Sequence, residues 1–490
     1  MRFPFAFMVV VCSAACSSGG EIPDGDGGAG RSGGGGSTST SHTGTGGATA
    51  TGHGGSPGTG SGGGNTGNGG SPSTGNGGSI SGGGGGGNGG SPSTGTGGVS
   101  VSHLPPPRNV DVCAGLVKDK AAHPMTALAK PALGATVKDA EFGTTIRRIS
   151  QVDSGTDAAI VPMYSTISAW NADESLMIIY HVNKGHELYD GKTYKLVRTL
   201  YDIRPADVEQ VYWHTSDPDV FYYVDGKSLI RYHVKASQKE TVTTFSFCTS
   251  NASGGDDPMF TSFDSNRISL GCGDTKFIYD IGANKVMGQK TYSENPAQMS
   301  PSGKFGWLSD SGRVTDTGLN VLRTLDLKEP FGHSSLGIWP TGEDTWNGVA
   351  YDPGPMGDQD IGQLVVFDMT TGKSKVVIGP KTGYPYPATV HVSGLAYLNP
   401  GWVTISSFGD LMGKGLMDLE IAVANTVDGT VCRVGRHRSW GKSNTMLKTP
   451  YWAEAHAVPS PSGTRILFGS DWGGGATVDA YVLELPSYTP

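Results

Sequence analysis

Apolar and polar residues alternate in short runs over most of the chain after residue 140, and turn-forming residues separate the runs. Residues 176–180 and 220–223 are two such runs, rich in β-branched and aromatic side chains. An alternation of period two bounded by Gly, Pro, Asn and Asp is typical of strands, whereas a helix needs a period of 3.6. The pattern therefore predicts an all-β fold.

The runs also repeat as a larger unit from Tyr164 onward, with 36 to 61 residues between successive first turns, and repeated strand units of about this size are typical of propeller blades. Each unit has a strand, a turn of the Ser-Pro-Asp-Gly kind, a second strand, a tight turn and a third strand. The first turns of the seven units lie at 170–174, 216–219, 264–266, 300–303, 340–342, 399–401 and 460–463. Seven units predict a seven-bladed β-propeller; the alternative is a pair of β-sandwiches.

One further strand, at 145–149, precedes the first unit, and the last unit shows only three strands. We expect this N-terminal strand to complete the seventh blade, which would close the ring and remove both exposed sheet edges.

The start of the chain reads as an export signal. Arg2 is followed by an apolar stretch at 5–11 and by small residues up to Cys16, and that stretch is too short to span a membrane. The segment resembles a bacterial lipobox, so Cys16 is the candidate lipid anchor. We expect a protein held at the bacterial cell envelope, on the outer membrane or the cell surface; the alternative is a cleaved signal without lipid and a secreted protein.

Residues 17–103 consist mainly of Gly, Ser, Thr and Asn and include 38 of the 78 glycines. Such a stretch has little apolar surface to bury, so it is expected to be a flexible linker. The remaining chain divides into an extension at 104–143 and the propeller at 144–490. A net charge of −8 without a basic run argues against nucleic acid as a partner, and we expect a monomer.

Four cysteines follow the linker, and an exported protein can oxidise them. Cys248 and Cys272 lie on neighbouring predicted strands and are the expected disulfide, which leaves Cys113 and Cys432 to pair by elimination. The chain has no Cys-x-x-Cys pair, which makes a thiolate zinc site improbable.

Three of the 12 histidines fall at equivalent places. His333, His391 and His456 mark the first strands of blades five, six and seven, and first strands line the central channel of a propeller. Glu454 lies two residues before His456, on the same face of a strand. Imidazole and carboxylate together suit divalent metals, so His391, Glu454 and His456 are predicted to bind Mn, Ca or Zn. The alternative is that these histidines hydrogen-bond between blades.

The segment from Glu454 to Gly463 resembles the final blade of the oligogalacturonate lyases. These are seven-bladed propellers in which a His-x-His ahead of a Ser-Pro-Asp-Gly turn binds manganese with a glutamine and a further histidine from a neighbouring blade. His456 matches the second histidine, whereas Glu454 and Tyr451 stand where the first histidine and the glutamine would be. The blades also resemble TolB-like (WD40-like) propellers and other propeller polysaccharide lyases.

The resemblance implies β-elimination on an acidic polysaccharide or oligosaccharide that contains uronic acid. His333 or His181 would be the general base, since a base must titrate near neutral pH. Arg231 is a candidate for binding the uronate carboxylate, and Tyr180 for protonating the leaving oxygen.

Two other functions remain open. A non-catalytic propeller could bind glycans or proteins on one face, because this fold hosts many unrelated functions. A glycoside hydrolase is less favoured, because the spacing places no close pair of carboxylates.

Overall fold

The computed structural model describes residues 106–153, 159–256, 259–327, 333–352 and 361–490. Over these residues the chain forms 28 strands in seven antiparallel sheets. The regular helices within them are three short 3₁₀ turns at Pro380–Thr382, Gly441–Ser443 and Pro450–Ala453. In these ranges no helix has the length and apolar character needed to cross a membrane. The predicted signal with Cys16 and the predicted linker lie outside the described residues.

Each sheet is one blade, and the prediction of seven blades is confirmed. The strands before and within the first three blades are β1 (Thr136–Lys138), β2 (Thr145–Arg148), β3 (Ile160–Val161), β4 (Leu176–His181), β5 (Gly185–Asp190), β6 (Leu196–Thr199), β7 (Tyr212–Trp213), β8 (Val220–Asp225), β9 (Ser228–His233), β10 (Gln238–Thr244), β11 (Arg267–Cys272), β12 (Thr275–Asp280) and β13 (Lys285–Thr291). Blade three has three regular strands, and a bridge between Thr261 and Ile268 takes the innermost position.

The remaining blades follow the same order from the channel outward. Their strands are β14 (Gln298–Met299), β15 (Gly306–Leu308), β16 (Arg313–Thr315), β17 (Val321–Thr324), β18 (Ser334–Ile338), β19 (Asp344–Ala350), β20 (Gly362–Asp368), β21 (Ser374–Ile378), β22 (Val390–Ser393), β23 (Trp402–Ser407), β24 (Glu420–Asn425), β25 (Val431–Arg436), β26 (Val458–Pro459), β27 (Arg465–Ser470) and β28 (Asp479–Glu484).

The position of a strand within its blade decides its composition. A middle strand such as β8 packs against neighbouring blades on both faces, and five of its six residues are buried. Its sequence is accordingly a nearly continuous apolar run, as expected for a sheet covered on both sides. The outer strand β10 of the same blade is Gln-Lys-Glu-Thr-Val-Thr-Thr and mostly exposed. The hydrophobic core therefore lies between the blades.

The ring closes as the sequence predicted. β2 pairs antiparallel with β28, in a register that sets Thr145 opposite Glu484 and Arg148 opposite Tyr481. Arg147 Nε lies 2.9 Å from a carboxylate oxygen of Glu484 across this junction. β1, which falls within the predicted extension, adds a fifth strand outside β2. Pairing the last blade with the start of the domain removes an exposed sheet edge.

The extension also packs along blade six. Val117 bridges to Arg433 in β25, and a disulfide joins Cys113 to Cys432 on the same strand. A second disulfide joins Cys248 to Cys272, with Cα atoms 5.7 Å apart. The extension therefore covers the outer strand of blade six and is covalently attached to it.

Candidate metal centre and active site

Three histidines from three adjacent blades meet at one point of the channel. His391 lies in β22, His333 immediately precedes β18, and His456 lies two residues before β26. The ring centroids are 4.3 Å apart for His333 and His391 and 4.4 Å apart for His391 and His456. Two of the three thus lie just ahead of the first strand rather than on it.

Glu454 completes this cluster. Its Oε2 is 3.3 Å from His391 Nε2 and 3.8 Å from His456 Nε2, and all three side chains are at least 98% buried. One ligand atom from each residue lies within 4.8 Å of the others. The spacing fits a single cation held by two imidazoles and a carboxylate.

The backbone that aims these side chains differs from the continuous strand expected from the sequence. The 3₁₀ turn Pro450–Ala453 ends at Glu454, and His456 has a left-handed φ of 41°. Non-glycine residues rarely adopt such a conformation, and where they do it often marks a functional site. The turn and the left-handed residue, rather than strand alternation, direct Glu454 and His456 to the same point.

Burial keeps both buried imidazoles neutral. The pKa of His456 is lowered to about 3 by burial and by the nearby charges of His333 and Lys442. The pKa of His391 is lowered well below its usual value, first by burial and then by His333 and His456. A neutral imidazole has the lone pair that a metal requires.

The same groups lack hydrogen bonds. Among the described residues, neither ring nitrogen of His391 or His456 has a hydrogen-bond partner, and neither does Oε2 of Glu454. Buried polar atoms nearly always have a partner, in the protein or in bound water or an ion. The residues therefore fit a divalent cation, which would satisfy one atom of each at once.

Tyr164 joins this cluster from blade one. Its hydroxyl is 2.9 Å from His333 Nδ1, and its ring centroid lies 5.7 Å from that of His391 and 5.1 Å from that of His456. Tyr164 was not among the predicted site residues. It lies three residues after β3, whereas His333 and His456 precede the innermost strands of their blades, so equivalence between blades gave no signal for it.

An aromatic wall, formed by Tyr451, Trp452 and Tyr180, adjoins His456. Successive ring centroids lie 5.0 Å apart for His456 and Tyr451, 5.2 Å for Tyr451 and Trp452, and 5.6 Å for Trp452 and Tyr180. The Tyr451 hydroxyl donates a hydrogen bond of 2.8 Å to Glu209 from the segment between blades one and two. Burial, with a smaller contribution from Asp207, raises the pKa of Tyr180 above its usual value.

Lys442 is a further member that the sequence analysis missed. It lies in the 3₁₀ turn Gly441–Ser443, and its Nζ is 3.1 Å from Oε1 of Glu454. Its side chain is 63% exposed, so the ammonium connects the buried carboxylate with solvent. The loop belongs to no repeated part of the blade, so no sequence signal indicated its position.

Two predicted catalytic residues lie in other surroundings. His181 ends the second strand of blade one, where its Nδ1 is 2.7 Å from Glu187 Oε1, and Glu187 also accepts a 2.9 Å hydrogen bond from Tyr189. Arg231 lies on the third strand of blade two, and its Nη1 is 2.9 Å from a Glu240 oxygen. Arg231 therefore projects from an outer part of its blade, where its guanidinium already binds a carboxylate.

Known structures include proteins with a similar fold. No protein-family profile matches the chain, and no curated protein matches it. The fold is similar to an oligogalacturonate lyase from Vibrio parahaemolyticus, with a TM-score of 0.50 and 15% identity over 72% of this chain and 97% of that one. A structure of an oligogalacturonate lyase in complex with manganese has a TM-score of 0.49 and 18% identity over 72% and 96%.

Proposed function

We propose that this protein is a cation-dependent polysaccharide lyase that cleaves acidic, uronic-acid-containing glycans by β-elimination. One observation carries the proposal: His391, Glu454 and His456 present buried ligand atoms without hydrogen bonds, directly beside the His333 and Tyr164 pair. A cation site next to a histidine suits a reaction that removes a proton from the carbon next to a carboxylate. The residues of the site, and not the fold, support this chemistry.

His391, Glu454 and His456 would hold the cation, and Mn²⁺ is the first candidate because it accepts both imidazole and carboxylate ligands. When bound, the metal would supply positive charge that stabilises the carboxylate and the enolate formed from it.

His333 is the proposed general base, in preference to His181, whose Nδ1 is engaged by Glu187. In the tautomer in which Nδ1–H donates to the Tyr164 oxygen, Nε2 carries the lone pair that accepts the substrate proton. Tyr164 would then fix the ring orientation and stabilise the imidazolium that forms.

The elimination involves two proton transfers, one from the substrate carbon and one to the leaving oxygen. His333 takes the proton from C5 of the uronate, the bond from C4 to the glycosidic oxygen breaks, and a C4–C5 double bond forms. The leaving oxygen takes up a proton, for which Tyr180 is the proposed donor, because its raised pKa keeps the hydroxyl protonated at neutral pH.

The test is absorbance at the unsaturated-uronate band while the full chain is incubated with a panel of uronic-acid polysaccharides, with and without a chelator. We expect a rise that the chelator abolishes and that His456→Ala removes. A rise that survives the chelator would contradict the cation but keep the lyase. No rise on any substrate, with no metal bound by elemental analysis, would favour a non-catalytic glycan-binding propeller.

We further propose that the enzyme acts at the bacterial cell envelope through a lipid on Cys16. The support is the predicted export signal and the small residues before that cysteine. Labelling with a fatty-acid probe in a bacterial host should mark the wild-type chain and not Cys16→Ala. Labelling of both, or of neither, would contradict the anchor.

A further inference from the structure

The carboxylate of Glu454 has two different neighbours. Its Oε2 faces the imidazoles of His391 and His456, while its Oε1 lies 3.1 Å from Lys442 Nζ. A carboxylate that ligates a metal is commonly oriented by a second group on its other oxygen. Lys442 therefore fixes which oxygen of Glu454 points at the metal ligands.

The loop that carries Lys442 is held by a buried carboxylate. Asp471 accepts hydrogen bonds from the backbone N–H of Trp440, at 3.1 Å, and from Asn444 Nδ2, at 2.8 Å, on the two sides of the lysine. Ser439 Oγ donates to the carbonyl of Ala453, immediately before Glu454. Lys442 thus extends from a fixed base rather than from a loose surface loop.

The Lys442 side chain is also largely exposed to solvent. With 63% of the side chain exposed and three N–H donors, it can bind a carboxylate that arrives from outside while it keeps Glu454. The aromatic wall has acidic neighbours, because Tyr451 donates a hydrogen bond to Glu209 and Asp207 acts on Tyr180. A substrate carboxylate is therefore attracted toward the Lys442 ammonium and repelled by these acidic groups.

We propose that Lys442 is the specificity residue of this site: it binds the free carboxylate of the uronate next to the cation and thereby selects acidic over methyl-esterified glycans. The inference rests on the proposed function, since it names the residue that recognises the substrate class. The Lys442 ammonium binds the substrate carboxylate and takes no part in bond breaking.

The experiment is calorimetric binding of trigalacturonate and of its methyl ester at saturating Mn²⁺, in a His333→Ala background that prevents turnover. Lys442→Gln keeps a donor that can reach Glu454 but removes the charge. We expect it to weaken binding of the acid about tenfold, the size of one charge-assisted hydrogen bond, and to change binding of the ester less than twofold. Lys442→Arg should keep the preference for the acid.

Lys448→Gln is the matched control, because Lys448 is an exposed lysine six residues further along the same segment. Its substitution should change the affinities for trigalacturonate and for the methyl ester less than twofold from those of the parent protein. A Mn²⁺ titration of each variant checks that the cation site is intact. The inference is overturned if Lys442→Gln binds Mn²⁺ and retains the preference for the acid, or if Lys448→Gln loses it equally. Failure of the His333→Ala parent, in which Lys442 is intact, to bind either trisaccharide would overturn the proposed function as well.

Discussion

Two clusters of charged and titratable side chains are buried in the last blades, and they differ in how their polar atoms are satisfied. In blade six, Glu420 receives two hydrogen bonds of 2.7 Å from Arg433, and Arg433 also donates to the carbonyl of Ala121 in the extension. In the channel, His391 and His456 are equally buried, yet among the described residues their ring nitrogens have no hydrogen-bond partners.

This difference distinguishes side chains that are buried for stability from side chains that are buried to bind a ligand. A buried pair that satisfies its own hydrogen bonds contributes to the fold and needs no ligand. Buried imidazoles without partners cost stability unless something else binds them. His437 gives a third point of comparison, because it is fully buried and both of its ring nitrogens lie near backbone groups, Ser407 O at 3.0 Å and Ser439 N at 3.1 Å.

The largest expected effect comes from breaking the satisfied cluster. Arg433→Met removes the two short hydrogen bonds to the buried Glu420 carboxylate, which keeps only the longer contact of 3.5 Å to Arg436 as an ion pair, and should lower the free energy of unfolding by about 3–5 kcal/mol, measured by urea denaturation. The double variant Arg433→Met/Glu420→Leu should recover most of that loss. A cost below 1 kcal/mol for the single variant would contradict the structural role of the pair.

The channel cluster should show the opposite behaviour. Mn²⁺ at about 100 times its dissociation constant should stabilise the wild-type protein by about 2.7 kcal/mol, because it binds only the folded site. His456→Ala should remove that gain while changing the metal-free stability little. The stabilisation should persist in the Arg433→Met/Glu420→Leu variant, and its loss there would show that the two clusters are coupled.

The stability of the metal-free protein should depend on pH through the buried histidines. The pKa of His456 is about 3 in the folded state, below its ordinary value of about 6.5. Below pH 6.5 the unfolded chain therefore binds a proton that the folded chain excludes, and stability falls as the pH is lowered toward 3. Each such histidine contributes about 1.4 kcal/mol per pH unit.

The measurement is the unfolding free energy from pH 7 to pH 4 with a chelator present. As the pH is lowered, the unfolding free energy of His456→Asn should fall less steeply than that of the wild type. The difference in slope should equal the contribution of one histidine. Equal slopes for the two proteins would show that His456 is not held neutral by burial.

The smallest effect is expected at Tyr164. Tyr164→Phe removes the hydroxyl that contacts His333 and should lower kcat about fivefold, which corresponds to about 1 kcal/mol, with an altered pH–rate profile. Tyr397→Phe is a matched control, since that buried hydroxyl has no hydrogen-bond partner among the described residues. A loss of activity in Tyr397→Phe alone would contradict the assignment of Tyr164.

The sequence predicted the parts of the structure that repeat. The seven units, the closing strand at Thr145 and the three histidines all lie in segments where an alternating pattern fixes the face and the blade order fixes the neighbours. For Arg231 the sequence did not indicate its surroundings, because strand identity alone does not give the distance from the channel; the structure places it on a third strand, near Glu240.

The parts that could not be predicted lie in the loops between blades. Lys442 reaches Glu454 only because Asp471 anchors the loop on both sides of it. That anchor depends on tertiary contacts between segments about 30 residues apart, for which neither alternation nor turn chemistry gives a signal. The left-handed residue His456 has the same origin, since local propensity disfavours it.

The disulfide between Cys113 and Cys432 has a mechanical consequence. A pull on the chain ahead of Cys113 passes through this bond into β25 of blade six before it can reach β2. β2 closes the ring through non-covalent contacts, namely its hydrogen bonds to β28 and the Arg147–Glu484 ion pair, which a force along the chain could break one at a time. The disulfide directs that force into β25, a strand within a complete blade. Tension on the N-terminal side therefore does not act on the pairing of β2 with β28.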